Sequence, residues 1–394
     1  MKTTWIYMLV LLFTGVNVCR ADGFVIKGKI SGGGEGVKVF LTDISQYRHI
    51  YDSTEIKNGE FEFRGLLTSP EMRCITIYKN DQNRREWKST VKLPIFMDNS
   101  SVEIVAPYDS LPTKADEVVP ACVKITGSAV NDLYMSYAKG IAPLQALNSK
   151  LFETYRVAYY YAKADDLGRK NMQPAYEALE KMENCRDEIY RYKVNFIKEN
   201  PNSPVALYVA GTLSLTKYGR GEIEKVLSLF PEQVLNSPKG QALAKRMNAI
   251  PVYAGDSYLD IEVLNKEGKE VKLSEMIQPG KYTLLEIWAS WCGPCRGDIP
   301  HLKDAYSAYS QKGFDIVSVS IDGDKEQWKK ALAQEQMPWT QVCDKGDNFE
   351  GFIVKKYGIS GVPSSFLIDP QGKIMLTNAR GGWLDTKLIE LFDK

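Results

Sequence analysis

The chain is predicted to fold as an α/β domain at its carboxyl end, preceded by an all-β, sandwich-like domain and a helical region. Hydrophobic residues alternate with a period of two up to about residue 125 and recur every three or four residues from there to about 249. After residue 250, strand-like and helix-like runs alternate. A length of 394 residues also suggests two or three domains rather than one core.

Residues 1–21 are predicted to be a signal peptide. An uninterrupted apolar run extends from Trp5 to Phe13, which is too short to span a hydrocarbon core of ~30 Å, and small and polar residues follow it. Cleavage after Ala21 would remove this segment. In the alternative, Cys19 becomes the lipidated first residue and anchors the protein. Either way we expect an exported protein, located in the periplasm or cell envelope.

Charge and cysteine content narrow the function classes. The 50 Lys and Arg residues nearly cancel the 49 Asp and Glu residues, so the net charge of +1 gives no reason to expect nucleic acid as a partner. Beyond Cys19, six cysteines are too few for a disulfide scaffold, and only Cys292 and Cys295 are close in sequence. We expect the other four to be small buried hydrophobic residues, with a Cys74–Cys122 bridge as the alternative.

The first predicted domain, residues 22–125, consists of short alternating runs separated by turn residues. The stretches SGGGEG and KNGE supply the glycine and asparagine residues that tight turns require. We expect an antiparallel sandwich. It contains one histidine, His49, and no cluster of carboxylates or metal ligands, which favours a scaffold or docking module without chemistry of its own.

Residues 126–249 are predicted to be helical, with the stretch NPNSP interrupting the pattern. A group of tyrosines in this region could line a binding groove, but half-buried packing is the favoured interpretation. These tyrosines are Tyr155, Tyr159, Tyr160 and Tyr161.

Residues 250–394 alternate between strand and helix patterns. A hairpin turning at residues 266–268 precedes the strand YTLLEIWAS, and a second hairpin turns at residues 370–372 before a terminal helix. A helix that begins at the cysteine pair Cys292 and Cys295 follows this strand. Two further pairs of strand and helix lie between that helix and the second hairpin. This order predicts an α/β layered fold.

The dithiol lies where a strand ends and a helix begins. Unpaired N–H groups and the helix dipole at that end stabilise a thiolate, so Cys292 is the predicted nucleophile. Cys295, one helical turn on, can attack the mixed disulfide and release the partner in reduced form. Pro294 occupies a position where a missing N–H has little cost, and Gly293 allows another chain to approach closely. We expect both to contact the substrate.

The sequence WASWCGPC, with a strand before it and a helix after it, resembles the thioredoxin fold. Together with YGISGVPSSFLIDPQGKI, the longer stretch EIWASWCGPCRGDIP resembles exported TlpA/ResA-type thioredoxins in particular. The resemblance covers about residues 252–394. The preceding regions resemble the N-terminal extension of unknown function that precedes such modules in many exported bacterial proteins.

The resemblance implies roles for particular residues. Cys292 and Cys295 match the redox pair, and Trp291 matches the tryptophan beside it. Pro363 matches the cis-proline, whose loop faces the dithiol and offers backbone hydrogen bonds to an extended substrate, and Val362 would touch that substrate. A cis bond before proline needs only ~0.5–1 kcal/mol.

Two carboxylates are candidates for accepting the proton that Cys295 loses. Glu286 lies where thioredoxins have a buried Asp beneath the second cysteine, and burial in an apolar strand would raise its pKa toward the working range of a base. Asp298 lies where ResA-like proteins have a Glu, on the same helix face as Cys295. We favour Glu286, with Asp298 assisting it or capping the first turn.

Other chemistry is less consistent with the sequence. A zinc site needs four ligands, usually two cysteine pairs, and one pair is present. A peroxiredoxin would have Pro and Thr where Leu285 and Ala289 stand. His301 could tune the dithiol, although a surface or packing histidine is favoured, and Arg380 is expected to be a solvated charge. We therefore expect no metal and no cofactor beyond the redox-active disulfide.

The residues between the cysteines predict the direction of electron flow. Gly-Pro is the reducing thioredoxin sequence, with a potential of ~−270 mV against ~−120 mV for the oxidant DsbA, and no histidine stabilises the thiolate of Cys292 from within this loop. We predict a reductase of protein disulfides, recharged by a membrane thiol electron donor. By family analogy, reduction of apocytochrome cysteines is one such task. The alternatives are an envelope binding protein that uses the module as a scaffold, and a thiol peroxidase.

Overall fold

The computed structural model of the chain describes residues 23–44, 49–79, 90–113, 119–162, 171–249 and 251–393. The predicted signal peptide and the lipidation alternative at Cys19 lie outside these residues. By its contacts the chain divides into two compact units, Met1–Ser136 and Tyr137–Lys394. The helical segment that follows Tyr137 therefore belongs to the same unit as the carboxyl-terminal domain.

The first unit is an all-β structure of two four-stranded sheets, as predicted. The sheets have the strand orders β4-β1-β7-β8 and β3-β2-β5-β6. They share one core, to which both contribute buried side chains such as Ile26, Phe63, Ile75 and Leu93. The strands are β1 (Phe24–Ser31), β2 (Lys38–Thr42), β3 (Ile50–Glu55), β4 (Glu60–Gly65), β5 (Glu71–Tyr78), β6 (Thr90–Met97), β7 (Ser101–Pro107) and β8 (Lys124–Thr126).

The expectation that this unit is wholly antiparallel was wrong at one pair of strands. β1 and β7 are parallel, with Ile26 opposite Val102. The two strands are far apart in sequence, so no tight turn fixes their relative direction. Alternation of hydrophobic residues predicts a strand and its buried face but not the direction of its neighbour.

Among the residues that the structure describes, the four cysteines outside the dithiol are free thiols. Cys74, Cys185 and Cys343 are buried as predicted, whereas Cys122 is exposed. The alternative Cys74–Cys122 bridge is absent because Cys74 lies within β5, in the interior of the unit, and Cys122 lies at the surface in the turn before β8.

The helical segment begins within the first unit and continues through the second. Its helix α2 ends just before NPNSP, as the sequence predicts, and the Ser203 hydroxyl then accepts a hydrogen bond from the Val205 N–H at 3.1 Å to cap the next helix. The helices are α1 (Ala129–Tyr160), α2 (Gln173–Glu199), α3 (Pro204–Ala210), α4 (Arg220–Leu227), α5 (Glu232–Leu235) and α6 (Pro238–Asn248).

The carboxyl-terminal domain has the predicted α/β thioredoxin fold. Its sheet has seven strands in the order β10-β9-β13-β12-β11-β14-β15, and both predicted hairpins are present. The elements are β9 (Glu262–Leu264), β10 (Glu270–Lys272), α7 (Leu273–Met276), β11 (Tyr282–Trp288), α8 (Gly293–Tyr309), β12 (Phe314–Ser320), α9 (Lys325–Glu335), β13 (Thr340–Asp344), α10 (Phe352–Tyr357), β14 (Ser364–Ile368), β15 (Ile374–Thr377) and α11 (Gly382–Phe392).

Strand β11 lies inside this sheet, and the dithiol follows its carboxyl end. All of its residues from Thr283 to Trp288 are buried, as expected of a strand covered on both faces. It runs parallel to β12 and antiparallel to β14, with Ile287 opposite Ser364. The carboxyl end of β11, which leads into the dithiol, therefore lies beside the start of β14, which follows Pro363.

Across the part of the chain that the structure describes, none of the helices is both long enough and apolar enough to span a bilayer.

Candidate redox site

Cys292 and Cys295 form a disulfide at the amino end of α8. Cys292 is the N-cap residue, and its Sγ accepts a hydrogen bond from the Cys295 N–H at 3.2 Å. Pro294 lies in the first turn, where a missing N–H removes no helical bond. The same N–H group and the helix dipole would stabilise a thiolate on Cys292 once the disulfide is reduced.

The two cysteine residues differ slightly in exposure. Cys292 is 4% exposed, whereas Cys295 is completely buried. The neighbouring Trp291, Gly293 and Pro294 are exposed, and a Cβ at Gly293 would meet no atom of the chain within 4 Å. An incoming partner can therefore approach Cys292 across these residues, while Cys295 is reached only from inside the protein.

The loop before the dithiol is fixed by a buried carboxylate that the sequence analysis missed. Asp322 is 1% exposed, and its carboxylate accepts hydrogen bonds from the Ser290 N–H at 2.9 Å and the Ser290 hydroxyl at 2.6 Å. Asp322 lies 32 residues beyond Ser290, just after β12. No local pattern indicates this pairing, because it depends on β11 and β12 being neighbours.

Trp291 is half exposed and packs on the loop that follows β13. Its indole N–H donates to Asn348 Oδ1 at 3.2 Å, and its ring meets Phe349 edge-on at 6.1 Å between centroids. A recess of about 430 Å³ adjoins this ring on the side of α9. Asn348 and Phe349 extend the surface around Cys292 and were not identified from the sequence.

The Val362–Pro363 peptide bond is cis, as the resemblance implies. Pro363 lies at the same end of the sheet as the dithiol, since the residue after it, Ser364, is paired with Ile287 near the end of β11. Val362 packs partly against the core of the domain. The substrate contacts of Val362 and Pro363 stay predictions.

Glu286 is the only charged residue of β11 and is 5% exposed. Burial raises its pKa from the usual 4.5 to about 7. A hydrogen bond with Ser318, which lies opposite it on β12, and the positive charge of Arg380 lower the pKa, while the negative charge of Asp298 raises it. Both protonation states of Glu286 are therefore populated near neutral pH, as a proton acceptor for Cys295 requires.

Asp298 forms an ion pair with Arg380, contrary to the expectation that Arg380 is a solvated charge. The Arg380 Nε donates to Asp298 Oδ2 at 2.8 Å, and Nη2 donates to the same oxygen. The residues are 82 positions apart, so only the folded chain brings them together. A proton on Asp298 would weaken this ion pair, and Asp298 is a charged neighbour of Glu286. The role of Glu286 as the proton acceptor stays a prediction.

Glu286 and Asp298 line the same small recess, together with His301, Pro363 and Arg380. Its volume of about 10 Å³ gives room for one water molecule. Glu286 and Asp298, the two candidate proton acceptors, therefore belong to one site.

His301 is neither a surface histidine nor a simple packing residue. Its Nε2 lies 2.6 Å from Asp385 Oδ1 on α11. The other oxygen of Asp385 accepts hydrogen bonds from the hydroxyls of Tyr159 and Tyr176 at 3.3 and 3.2 Å. The tyrosines of the helical segment are thus linked to the helix that carries the dithiol.

Of the four tyrosines singled out from the sequence, Tyr155 and Tyr159 pack within the protein, as favoured. Tyr155 is buried, and its hydroxyl accepts the Gly382 N–H at 3.0 Å, while its ring lies edge-on to Trp383. Tyr160 and Tyr161 are exposed. Within the described ranges, no group of three or more His, Cys, Asp or Glu side chains is placed to hold a metal ion.

The sheet order and the disulfide at the start of the helix that follows β11 define residues 251–393 as a thioredoxin-fold redox domain. Residues 254–377 match the AhpC/TSA family, and residues 24–134 match a domain of unknown function, DUF4369. The carboxyl-terminal domain is thus a thioredoxin-fold domain similar to the AhpC/TSA family, and a match to DUF4369 precedes it.

Similar proteins carry names that describe disulfide chemistry. Over 113 residues the chain is 34% identical to "Thiol-disulfide oxidoreductase ResA" of Bacillus thuringiensis subsp. konkukian, a match that covers 29% of this chain and 62% of the relative. The protein of the same name from Oceanobacillus iheyensis is 33% identical over 104 residues, which are 26% of this chain and 51% of that protein.

A solved thioredoxin domain of a thiol-disulfide oxidoreductase from Bacteroides vulgatus is 33% identical to this chain. The match covers 36% of this chain and 99% of that one, with a TM-score of 0.33. The chain spans 62% or less of the length of the two curated relatives described above.

Proposed function

We propose that this protein is a thiol-disulfide oxidoreductase that reduces disulfides of other proteins through Cys292 and Cys295. The disulfide at the amino end of α8 carries the proposal, because the Cys295 N–H already points at the Cys292 sulfur. The names of the similar ResA proteins support the same chemistry.

The geometry supports a two-step exchange. In the reduced protein, the Cys292 thiolate attacks one sulfur of the substrate disulfide, a mixed disulfide forms, and the other substrate sulfur leaves as a thiolate that takes a proton from solvent. Cys295 then gives its proton to Glu286 and attacks Cys292 Sγ. The second substrate sulfur leaves as a thiolate that takes a proton from solvent, and two electrons have passed from the dithiol to the substrate.

The direction of electron flow is proposed from the residues of the dithiol loop, and the cellular location is proposed from the amino-terminal sequence. Gly293 and Pro294 between the cysteines match the reducing thioredoxin sequence, and no histidine lies between them. Net reduction needs a dithiol donor that restores Cys292 and Cys295 after each turnover. We propose that the protein works after export, in the periplasm or cell envelope, with a membrane thiol donor, and that apocytochrome cysteines are one class of substrate.

Insulin reduction by dithiothreitol tests the activity. We expect the wild type to accelerate the reaction at least about 10-fold over the Cys292→Ser variant, because Cys292 is the cysteine whose thiolate the helix end stabilises. Cys343→Ser is the matched control, since it removes a buried thiol elsewhere in the domain. Equal rates for wild type and Cys292→Ser would reject the reductase and favour the binding-protein alternative.

The same variants test the order of the two cysteines. Cys295→Ser should retain partners as mixed disulfides on Cys292, because the resolving thiol is missing, and Cys292→Ser should retain none. Non-reducing gel electrophoresis followed by mass spectrometry measures both and identifies the partners. Recovery of the same adducts from both variants would show that the assignment of attacking and resolving cysteine is wrong.

A further inference from the structure

The buried base has to exchange its proton with solvent. Glu286 is 5% exposed, and each turnover moves a proton between it and Cys295. Both protonation states of Glu286 are populated near neutral pH. A proton that Glu286 gains or loses must therefore pass between its recess and solvent. Proton transfer across several ångströms of protein requires an intermediate carrier.

His301 is the side chain of this recess that suits the task. It lines the recess together with Glu286, and its side chain is 30% exposed, so it borders both the recess and solvent. Asp298 and Arg380 line the same recess but are bound to each other. Histidine is also the residue that binds and releases protons near neutral pH.

The hydrogen bond to Asp385 fixes which nitrogen is available. A carboxylate only accepts hydrogen bonds, so neutral His301 carries its hydrogen on Nε2, which lies 2.6 Å from Asp385 Oδ1. Nδ1 then holds the free lone pair. The hydroxyls of Tyr159 and Tyr176 bind the other oxygen of Asp385 and hold the carboxylate in this orientation.

We propose that His301 carries protons between Glu286 and solvent, and that the helical segment holds it in place through Asp385. The inference rests on the proposed function, because it concerns the proton balance of the same dithiol. When a thiol donor reduces the disulfide, Cys295 leaves as a thiolate and takes the proton of Glu286. Glu286 is then reprotonated by His301, through a water in the recess, and His301 takes a proton from solvent.

The charges around His301 are consistent with this role. Burial lowers its pKa, but the hydrogen bond and charge of Asp385 raise it, as do Asp298 and Asp304 on its own helix, and the net shift is upward. The protonated imidazole is therefore available near neutral pH, where Glu286 also titrates.

His301→Gln tests the proposal, because glutamine retains an N–H donor for Asp385 but cannot carry the proton. The measurement is the rate at which dithiothreitol reduces the Cys292–Cys295 disulfide at pH 7 in dilute buffer, followed by tryptophan fluorescence. We expect the variant's rate to be at least about 10-fold lower than that of wild type, a smaller effect than the ~10²–10⁴-fold of a direct acid–base catalyst because His301 acts through Glu286. The rate of the variant should rise with buffer concentration. His49→Gln, at the other histidine of the chain, should behave as wild type.

A second variant separates proton transfer from folding. Added imidazole should restore most of the lost rate in His301→Ala, because a free base can occupy the vacated space. Tyr159→Phe with Tyr176→Phe should give a smaller loss, since His301 remains but Asp385 is less firmly held. A wild-type rate and pH profile in His301→Gln, or an imidazole-insensitive loss in His301→Ala, would overturn the proposal.

The assay also distinguishes this inference from the proposed function. Reduction by dithiothreitol involves no protein substrate. An inactive wild type in insulin reduction, together with a His301-dependent rate with dithiothreitol, would reject the reductase function and leave the proton path intact.

Discussion

Glu286 shows how one residue can be costly for folding and useful for chemistry. It is a carboxylate in a strand whose other residues are apolar or aromatic apart from Thr283. Burial raises its pKa from 4.5 to about 7, so the folded protein holds a proton that the unfolded chain releases between these pH values. Its contribution to stability is complete below pH 4.5 and is lost as the pH rises through 7.

We therefore expect Glu286→Gln to stabilise the oxidised protein at pH 8 by up to roughly 3 kcal/mol, and to change little at pH 4.5. The free energy of unfolding in urea at the two pH values measures this. Glu275→Gln, at an exposed carboxylate of the same domain, is the control. Glu286→Gln should also slow insulin reduction, because Cys295 loses its proton acceptor. Equal stabilisation at both pH values would contradict the assigned pKa.

At the level of elements, α8 and the loop before α11 jointly set the charge around Glu286. Asp298 of α8 raises the pKa of Glu286, and Arg380 of the loop lowers it. Arg380→Gln removes the positive charge of Arg380 and leaves the negative charge of Asp298 without a partner. The pKa of Glu286, seen as the acidic limb of the pH–rate profile, should then rise by about half a unit or more.

Asp298→Asn should shift the same limb in the opposite direction, to lower pH. The double variant Asp298→Asn with Arg380→Gln should lie between the two single variants, because both charges are removed together. Rates of insulin reduction between pH 5 and 9 give the profiles. Shifts of the same sign in both single variants would show that the pair acts through structure rather than through charge.

Local sequence was sufficient to predict the elements of the site but not their lateral contacts. The strand, the cysteine pair and the helix lie next to one another along the chain, so the end of β11 and the start of α8 could be recognised from residues 282–309. Arg380, Asp322 and Asp385 lie 32 to 84 residues from their partners on or near α8. A single charged residue in the sequence carries no pattern that identifies such a distant partner.

At the level of the whole second unit, α11 joins the helical segment to the redox domain. Trp383 meets Tyr155 edge-on at 5.1 Å between ring centroids, Arg186 of α2 lies over its ring, and its indole N–H donates to Glu183 at 3.2 Å. With the hydrogen bonds to Asp385, these contacts make the helical segment part of the support of α8.

Trp383→Ala should lower the free energy of unfolding by about 2 kcal/mol, less than for a fully buried tryptophan because the side chain is only half-buried. Trp291→Ala is the matched control and should change stability by no more than about 0.5 kcal/mol, since that ring is exposed. Urea unfolding measures both. A similar loss in the two variants would argue against α11 as the junction.

The sequence by itself determined the fold classes of the regions, the place of the disulfide at the start of a helix, and the two carboxylates near it. These features depend on period, turn residues and short spacing, which are local properties of the chain. The tertiary structure alone decided that β1 and β7 are parallel, that Asp298 is bound by Arg380, and that His301 is tied to tyrosines more than 120 positions earlier in the chain. Such contacts arise when distant elements pack around a common core, and no local pattern encodes which side chains then meet.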